Sequence, residues 1–357
     1  MRVLVTGCDG YIGAVLTPYL MDRGWDVTGL DTGFYRAGLL YPDLADRPRV
    51  LTRDIRRVER ADLEGFDAVV HLAELSNDPL GELNPGITHA INHEGSMHLA
   101  RTAKAAGVRR FVYASSCSVY GAGADSVREE TSAPLPQTAY AECKVLCEQG
   151  LATLNGPDFI TTCLRNATAF GASPRMRFDI VLNNLAGLAW TTRQIAMTSD
   201  GTPWRPLVHV LDICQAVEQV LRAPSEAVAG EVFNVGDDDQ NYRVREIAEI
   251  VAAAFPGCTT SFGAPGPDNR SYRVSFAKIR RHLPDFRCRW PAERGARQLR
   301  DLFDGIKMSR AQFEAPPFTR LRQLQAQIDA GLLDPSFFWR DPLAGALVAE
   351  ETTASAA

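Results

Sequence analysis

A chain of 357 residues, 45% of them hydrophobic, is long enough for a large core and for two domains or one domain carrying an added lobe. Its 38 basic and 43 acidic residues leave a net charge of −5, too mild to imply a nucleic acid or a membrane surface as partner. No stretch approaches the roughly 20 apolar residues of a bilayer span, and Arg2-Val3-Leu4-Val5 runs into glycine without the apolar core of a secretion signal, so a cytoplasmic location is expected.

The run Val3 to Thr6 predicts a strand, followed at once by Gly7, Gly10 and Gly13 and then a helix carrying Val15, Leu16, Tyr19 and Leu20. Glycine is costly wherever the backbone is regular, so three at fixed spacing predict a close approach to the main chain. The turn Gly7, Gly10, Tyr11, Ile12, Gly13 reads as a phosphate-binding βα turn, with a pyrophosphate seated on N–H groups at a helix N-terminus. Its spacing is one residue longer than the common G-x-G-x-x-G. The next predicted strand, Asp26 to Leu30, leads into Asp31, 24 residues after Gly7. That is near the ~20-residue offset at which a carboxylate grips the adenosine ribose. Thr32 and Gly33 are not basic, and Arg36, the nearest candidate for a 2′-phosphate, is discounted, so the expected cofactor is NAD rather than NADP.

Strands are also predicted at Arg49 to Thr52, Ala68 to Leu72, Arg110 to Ala114 and Ile160 to Leu164, with helical segments such as Asn84 to Ala106 and Thr138 to Leu154 between several of them. Such alternation implies right-handed crossovers and a buried parallel sheet. Past about Phe170 the pattern loosens, with Pro174, Pro203, Pro206, Pro256, Pro265 and Pro267 punctuating shorter elements. The expected division is a dinucleotide domain over 1–170, a smaller lobe interleaved with the sheet edge over 171–347, and a disordered tail over 348–357. Eight cysteines are scattered without a CxxC pair, so neither a zinc site nor a disulfide framework is expected, and most read as small buried hydrophobes.

Two further stretches narrow the class. "FVYASSCSVYG" (Phe111 to Gly121) ends an apolar strand in hydroxyls, and "YAECK" (Tyr140 to Lys144) comes later on a helix. With the glycine-rich start, these make the chain resemble the extended short-chain dehydrogenase/reductases that act on nucleotide sugars, over roughly Met1 to Pro291. The resemblance implies a Rossmann-type, doubly wound α/β fold with a C-terminal substrate-binding lobe. It also implies Tyr140 as acid/base, Lys144 as its helper and Ser116 as hydroxyl partner. The chemistry is consistent with this, because i and i+4 share a helix face and a nearby ammonium lowers a tyrosine from its usual pKa of about 10. The phenolate then takes a proton from a sugar hydroxyl while hydride leaves the same carbon for NAD.

The same resemblance places Asp54 and Ile55 beside adenine and Leu72 and Ala73 over the pyrophosphate, and makes His71 structural. It counts Asn92 with the cofactor site, as a brace of the active-site backbone. "LRNATAFG" (Leu164 to Gly171) resembles the loop between nicotinamide and sugar, with Asn166 and Thr168 at the relevant places. Arg205 and Arg270 are expected to clamp the substrate's diphosphate, a task suited to the planar guanidinium fork. The pair Asn183-Asn184 is a candidate sugar contact. The helices Asn84 to Ala106 and Thr138 to Leu154 resemble those that pair across a homodimer.

Members of the class begin by oxidising the sugar and differ in the fate of the resulting ketone. The 4,6-dehydratases carry Asp-Glu where this chain has Cys117-Ser118, which disfavours dehydration. The 3,5-epimerase/reductases use a cysteine near this tyrosine segment, and Cys117 is one place off. That leaves 4-epimerisation as the leading expectation, with a ketoreductase second. A non-catalytic sensor of NAD or sugar nucleotide is also compatible with the fold, but the intact Ser116, Tyr140 and Lys144 argue against it.

Overall fold

The computed structural model describes residues 1–42, 46–76, 84–265 and 270–341, with backbone alone over 122–125. Pro267 and the tail at 348–357 lie outside the described residues. Strands β1 (Arg2–Thr6), β2 (Asp26–Asp31), β3 (Arg49–Thr52), β4 (Ala68–His71) and β5 (Arg110–Ser116) form where the apolar runs predict them. After β6 (Ala122–Arg128) comes β7 (Ile160–Asn166), and much later β11 (Val232–Val235) joins the same sheet. These seven strands lie in the order β11-β7-β5-β4-β1-β2-β3, and every pairing between them is parallel. Every residue of β4 and β7 is buried, as expected where helices cover both faces of a parallel sheet.

Two strands outrun their apolar sequences. β5 and β7 stay paired through Ala114–Leu164 and Ser115–Arg165 to Ser116–Asn166. Their polar ends therefore reach the carboxyl edge of the sheet. The chain runs from β1 outward to β2 and β3 on one side and returns to β4 on the other, so a crevice opens above β1 and β4, where ligands of such sheets bind.

Beyond β7 the chain builds a second layer. β8 (Thr168–Phe170), β10 (Trp204–His209) and β12 (Asn241–Arg243) form a small sheet, and β9 (Gln194–Ala196) pairs with β13 (Thr259–Ser261). Phe170, Leu182, Ile195, Leu207, Ile247, Leu299 and Phe303 share the core of this layer. The helix Val210–Arg222 then packs Ile213, Cys214 and Val217 into the cluster that holds Val3 and Val5 of β1, and β11 completes the main sheet. β14 (Ser271–Val274) pairs with β6.

The predicted helix from Asn84 is continuous but not uniform. Asn84 caps Pro85–Thr88, a π-helical stretch spans His89–Gly95, and Ser96–Ala105 resumes the α-helix. Thr138 caps the helix Ala139–Leu154 through the N–H of Ala141. Near the C-terminus, the helix Arg320–Asp329 folds back on the loop after β2, where Gln323 and Gln327 both donate to the Phe34 carbonyl, at 3.3 and 2.7 Å. Trp339 Nε1 donates to the Thr32 carbonyl at 2.7 Å.

Candidate active site

A cleft of about 740 Å³ runs along the carboxyl edge of the main sheet and under the second layer. One end is built by the glycine turn. Gly7 sits at φ +73°, and a Cβ there would lie 2.8 Å from the Ala73 nitrogen. A Cβ at Gly13 would collide with the Gly7 carbonyl. The turn therefore closes only with glycine, and it lays Gly10, Tyr11 and Ile12 along the cleft at the start of the helix Gly13–Met21. Among the described residues no side chain caps that helix, so its first turn is open to a ligand anion.

Asp31 ends β2 at the cleft and is buried. Its Oδ2 accepts from the Asp9 N–H at 3.0 Å and its Oδ1 from the Gly33 N–H at 2.8 Å. Burial, then the Asp9 carboxylate, pushes its pKa up to about 6 against the pull of those N–H groups and Arg36. Arg36 is held by Asp9, Nε to Oδ2 at 2.9 Å. Asp54, Ile55, Leu72 and Ala73 line the cleft. His71 is structural. Its ring bonds Thr6 Oγ1 and Ser96 Oγ, each at 2.7 Å, and burial lowers its pKa to about 3.

Two expected ligands are corrected. Asn92 does not line the cleft; its amide accepts from the Leu75 N–H at 2.8 Å and donates to the Leu75 carbonyl at 2.9 Å. It ties down the backbone at Leu75, which itself lines the cleft. Asn183 is wholly buried in the core, bonding the Gly171 N–H and the Tyr11 hydroxyl. Consecutive helical residues point about 100° apart, and it is Asn184 that faces the cleft.

Ser116, Tyr140, Lys144 and Thr168 come together on the cleft wall, with Lys144 Nζ 5.3 Å from the Tyr140 ring centre. Lys144 is nearly fully buried and donates to the Ala114 carbonyl. Its main partner belongs to none of the sequence motifs. Glu74, the residue after the Leu72-Ala73 turn, lies with Oε2 2.5 Å from Lys144 Nζ, and its Oε1 accepts from the Tyr113 hydroxyl at 2.6 Å. Burial pushes the Glu74 carboxyl up, while Lys144 and Tyr113 pull it down. Burial alone would lower Lys144, but Glu74 outweighs it and raises the ammonium's pKa. The one sequence signal for Glu74 is an acidic residue closing an apolar strand, "AVVHLAE".

Nearby, Arg177 is fixed by Asp179 at 2.9 and 3.2 Å and by the Ser76 hydroxyl at 3.0 Å. Ser118 Oγ and Asn166 Oδ1 sit buried in the cleft wall without a hydrogen-bond partner among the described residues. Cys117 is not on the wall; its thiol donates to the Arg165 carbonyl at 3.2 Å, and burial pushes it far above the usual thiol range. At the other end, Arg205 and Arg270 line the cleft beside Pro203 and Tyr272, and Arg205 donates to the Trp204 carbonyl at 2.8 Å and to that of Arg270. Among the described residues no helix is long and apolar enough to cross a membrane.

The residues present fit NAD. The glycine turn offers an uncapped helix start for a pyrophosphate, Asp31 stands where an adenosine ribose would lie, and Tyr140, Lys144 and Ser116 cluster farther along the same cleft.

The profile of the family described as "NAD dependent epimerase/dehydratase family" matches residues 3–236. UDP-glucose 4-epimerase of Mycolicibacterium smegmatis is 32% identical over 267 residues, 71% of this chain and 82% of the relative. dTDP-glucose 4,6-dehydratase of Neisseria meningitidis serogroup B is 27% identical over 319 residues, 79% of this chain and 87% of the relative. Among solved structures, MoeE5 in complex with UDP-glucuronic acid and NAD superposes with a TM-score of 0.73 at 27% identity, covering 85% of this chain and all of that one.

Proposed function

The chain belongs to the NAD-dependent epimerase/dehydratase family, and we propose that within it this protein is a nucleotide-sugar 4-epimerase. When bound, NAD accepts a hydride from the sugar and returns it. The chain's own residues do the rest. Tyr140 takes the proton of the C4 hydroxyl and later gives it back, Ser116 hydrogen-bonds the same oxygen, and Lys144 sits beside the phenol ring. Arg205 and Arg270 hold the diphosphate, which leaves the sugar free to turn and present its other face. The helices Pro85–Ala105 and Ala139–Leu154 are proposed to pair in a homodimer.

The observation that carries the choice of reaction is at Cys117 and Ser118. Removing water from C5 and C6 needs a base for the C5 proton and an acid for the leaving hydroxyl. Cys117 points away from the cleft, and Ser118 Oγ has no hydrogen-bond partner among the described residues. Dehydration is the second reading, favoured by the Neisseria relative and by Glu74, a carboxylate on the cleft wall. Both Glu74 oxygens, however, face other partners, Lys144 and Tyr113.

The test is incubation with a panel of nucleotide hexoses in heavy water. Epimerisation gives a product of unchanged mass, no net NADH and no deuterium on carbon. A product about 18 mass units lighter, from loss of one water, would establish dehydration instead.

A further inference from the structure

Besides Ser118 Oγ, two donors in the cleft wall are buried and without a hydrogen-bond partner among the described residues, and neither belongs to the motifs that identify the family. One is Nη2 of Arg320, the first residue of the helix Arg320–Asp329, in a part of the chain beyond the 3–236 match. The other is the Tyr35 hydroxyl, in the loop after β2. Both residues line the cleft, and neither atom has a hydrogen-bond partner among the described residues.

Arg320 is 2% exposed, and its guanidinium lies flat against Tyr35, 4.0 Å from the ring centre. Its Nη1 reaches only the Pro317 carbonyl, at 3.5 Å, and its backbone N–H donates to Asp179 Oδ2 at 3.3 Å. Burial, with the like charge of Arg177, lowers its pKa to about 10, so it stays cationic at neutral pH. A guanidinium has five donors, and burying them unpaired is costly. A cation and a hydroxyl side by side, both facing a ligand cleft, suit an oxyanion.

Position selects which oxyanion. Tyr35 is four residues past Asp31, and the Arg320 helix is tied to the same loop through Gln323 and Gln327 on the Phe34 carbonyl. The pair is thus tied to the Asp31 loop and, through the Asp179 that Arg320 shares with Arg177, to Ser76 beyond β4, rather than to the stretch of Arg205 and Arg270. A dinucleotide with its adenosine ribose at Asp31 and its reacting ring at Tyr140 has its diphosphate between them. We propose that Arg320 and Tyr35 bind the diphosphate of NAD, making the C-terminal helix a working part of the cofactor site. This rests on NAD being the cofactor.

The experiment is calorimetric titration of the full chain and of Arg320→Met and Tyr35→Phe with NAD, ADP-ribose, adenosine and UDP. Methionine keeps an apolar stem on the Tyr35 ring, and phenylalanine removes one oxygen. For Arg320→Met, the Kd of NAD and of ADP-ribose should rise about 10- to 100-fold, the range of a charge-assisted hydrogen bond; for Tyr35→Phe the rise should be about three- to tenfold. Adenosine, which lacks the diphosphate, and UDP, which reports the substrate end, should stay within about twofold. Unchanged NAD binding in both variants would overturn the proposal alone. An equal loss for adenosine would make the residues structural, and a loss confined to UDP would assign them to the substrate. If wild-type chain does not bind NAD, the cofactor reading itself fails. Should Arg320→Met not fold, Tyr35→Phe carries the test.

Discussion

Lys144 and Arg320 are built alike and finished differently. Each is a buried cation against a tyrosine ring, Lys144 Nζ 4.6 Å from the centre of Tyr113 and the Arg320 guanidinium 4.0 Å from that of Tyr35. Beside Lys144 stands Glu74, which answers both the ammonium and the Tyr113 hydroxyl. Beside Arg320, Asp179 meets only the backbone N–H, and the Tyr35 hydroxyl and one guanidinium nitrogen have no hydrogen-bond partner among the described residues. The same ingredients make a self-sufficient network where an acid is supplied and a receptor where it is withheld. The first holds the groups proposed as catalytic in place without a ligand; the second is complete only with one.

The largest effect that separates the two sites is on turnover. Tyr140→Phe, beside the closed network, should cut kcat by about 10²- to 10⁴-fold while NAD binds as before. Arg320→Met should show the reverse weighting, with affinity lost first. Near-normal turnover in Tyr140→Phe would move the acid/base elsewhere; Cys143 is a poor substitute, since burial pushes its thiol up to about 12.

Next is stability without ligand. Glu74→Ala strands a buried ammonium and should cost about 3–5 kcal/mol in denaturant titration. Arg320→Met breaks no such pair and should cost less than about 1 kcal/mol. Equal losses would erase the distinction between closed and open sites.

A smaller effect comes from pH. If Asp31 grips the ribose as proposed, only its ionised form accepts from both hydroxyls, and its pKa lies near 6. NAD affinity should therefore be flat well above that value and fall about fivefold from pH 6 to 5. Arg320, near 10, does not titrate in that window. A Kd constant from pH 7 to 5 would remove Asp31 from the site.

Smallest is the contribution of His71. Its folded pKa, about 3, is below the ordinary histidine value of 6.5, so the unfolded chain takes up the proton first and stability falls as pH drops. Between pH 6.5 and 5.5 this amounts to about 1 kcal/mol. Asp31 and Asp212, raised to about 6, act with the opposite sign, so the comparison is wild type against His71→Gln. Identical pH slopes would mean that His71 is not held neutral.

What is legible in the sequence is what is local. The glycine turn, Asp31, the i,i+4 pair Tyr140 and Lys144, and the strand positions each declare themselves within one or two elements. Asn183 and Asn184 cannot be told apart without the packing of their helix. The backbone role of Asn92 is readable, but its separation from the cleft depends on how Leu75 runs. Glu74 comes after a strand in the manner of many surface residues, and only the fold brings Lys144 to it. Arg320 and Tyr35 meet across almost the whole chain, so no spacing rule joins them.

The late return of β11 also bears on how the molecule is made. Val232–Val235 pairs with Cys163–Asn166 of β7 only after the chain has gone out to β8 and β10 and come back along the helix Val210–Arg222. As the chain leaves the ribosome, β7 waits with an unpaired edge until all of that has emerged. Bare parallel edges invite pairing with other chains, and contacts so distant in sequence form slowly. A fragment ending before Val232 keeps Ser116, Tyr140 and Lys144, the residues proposed as catalytic, yet leaves that edge permanently open, and aggregation rather than activity is its expected fate.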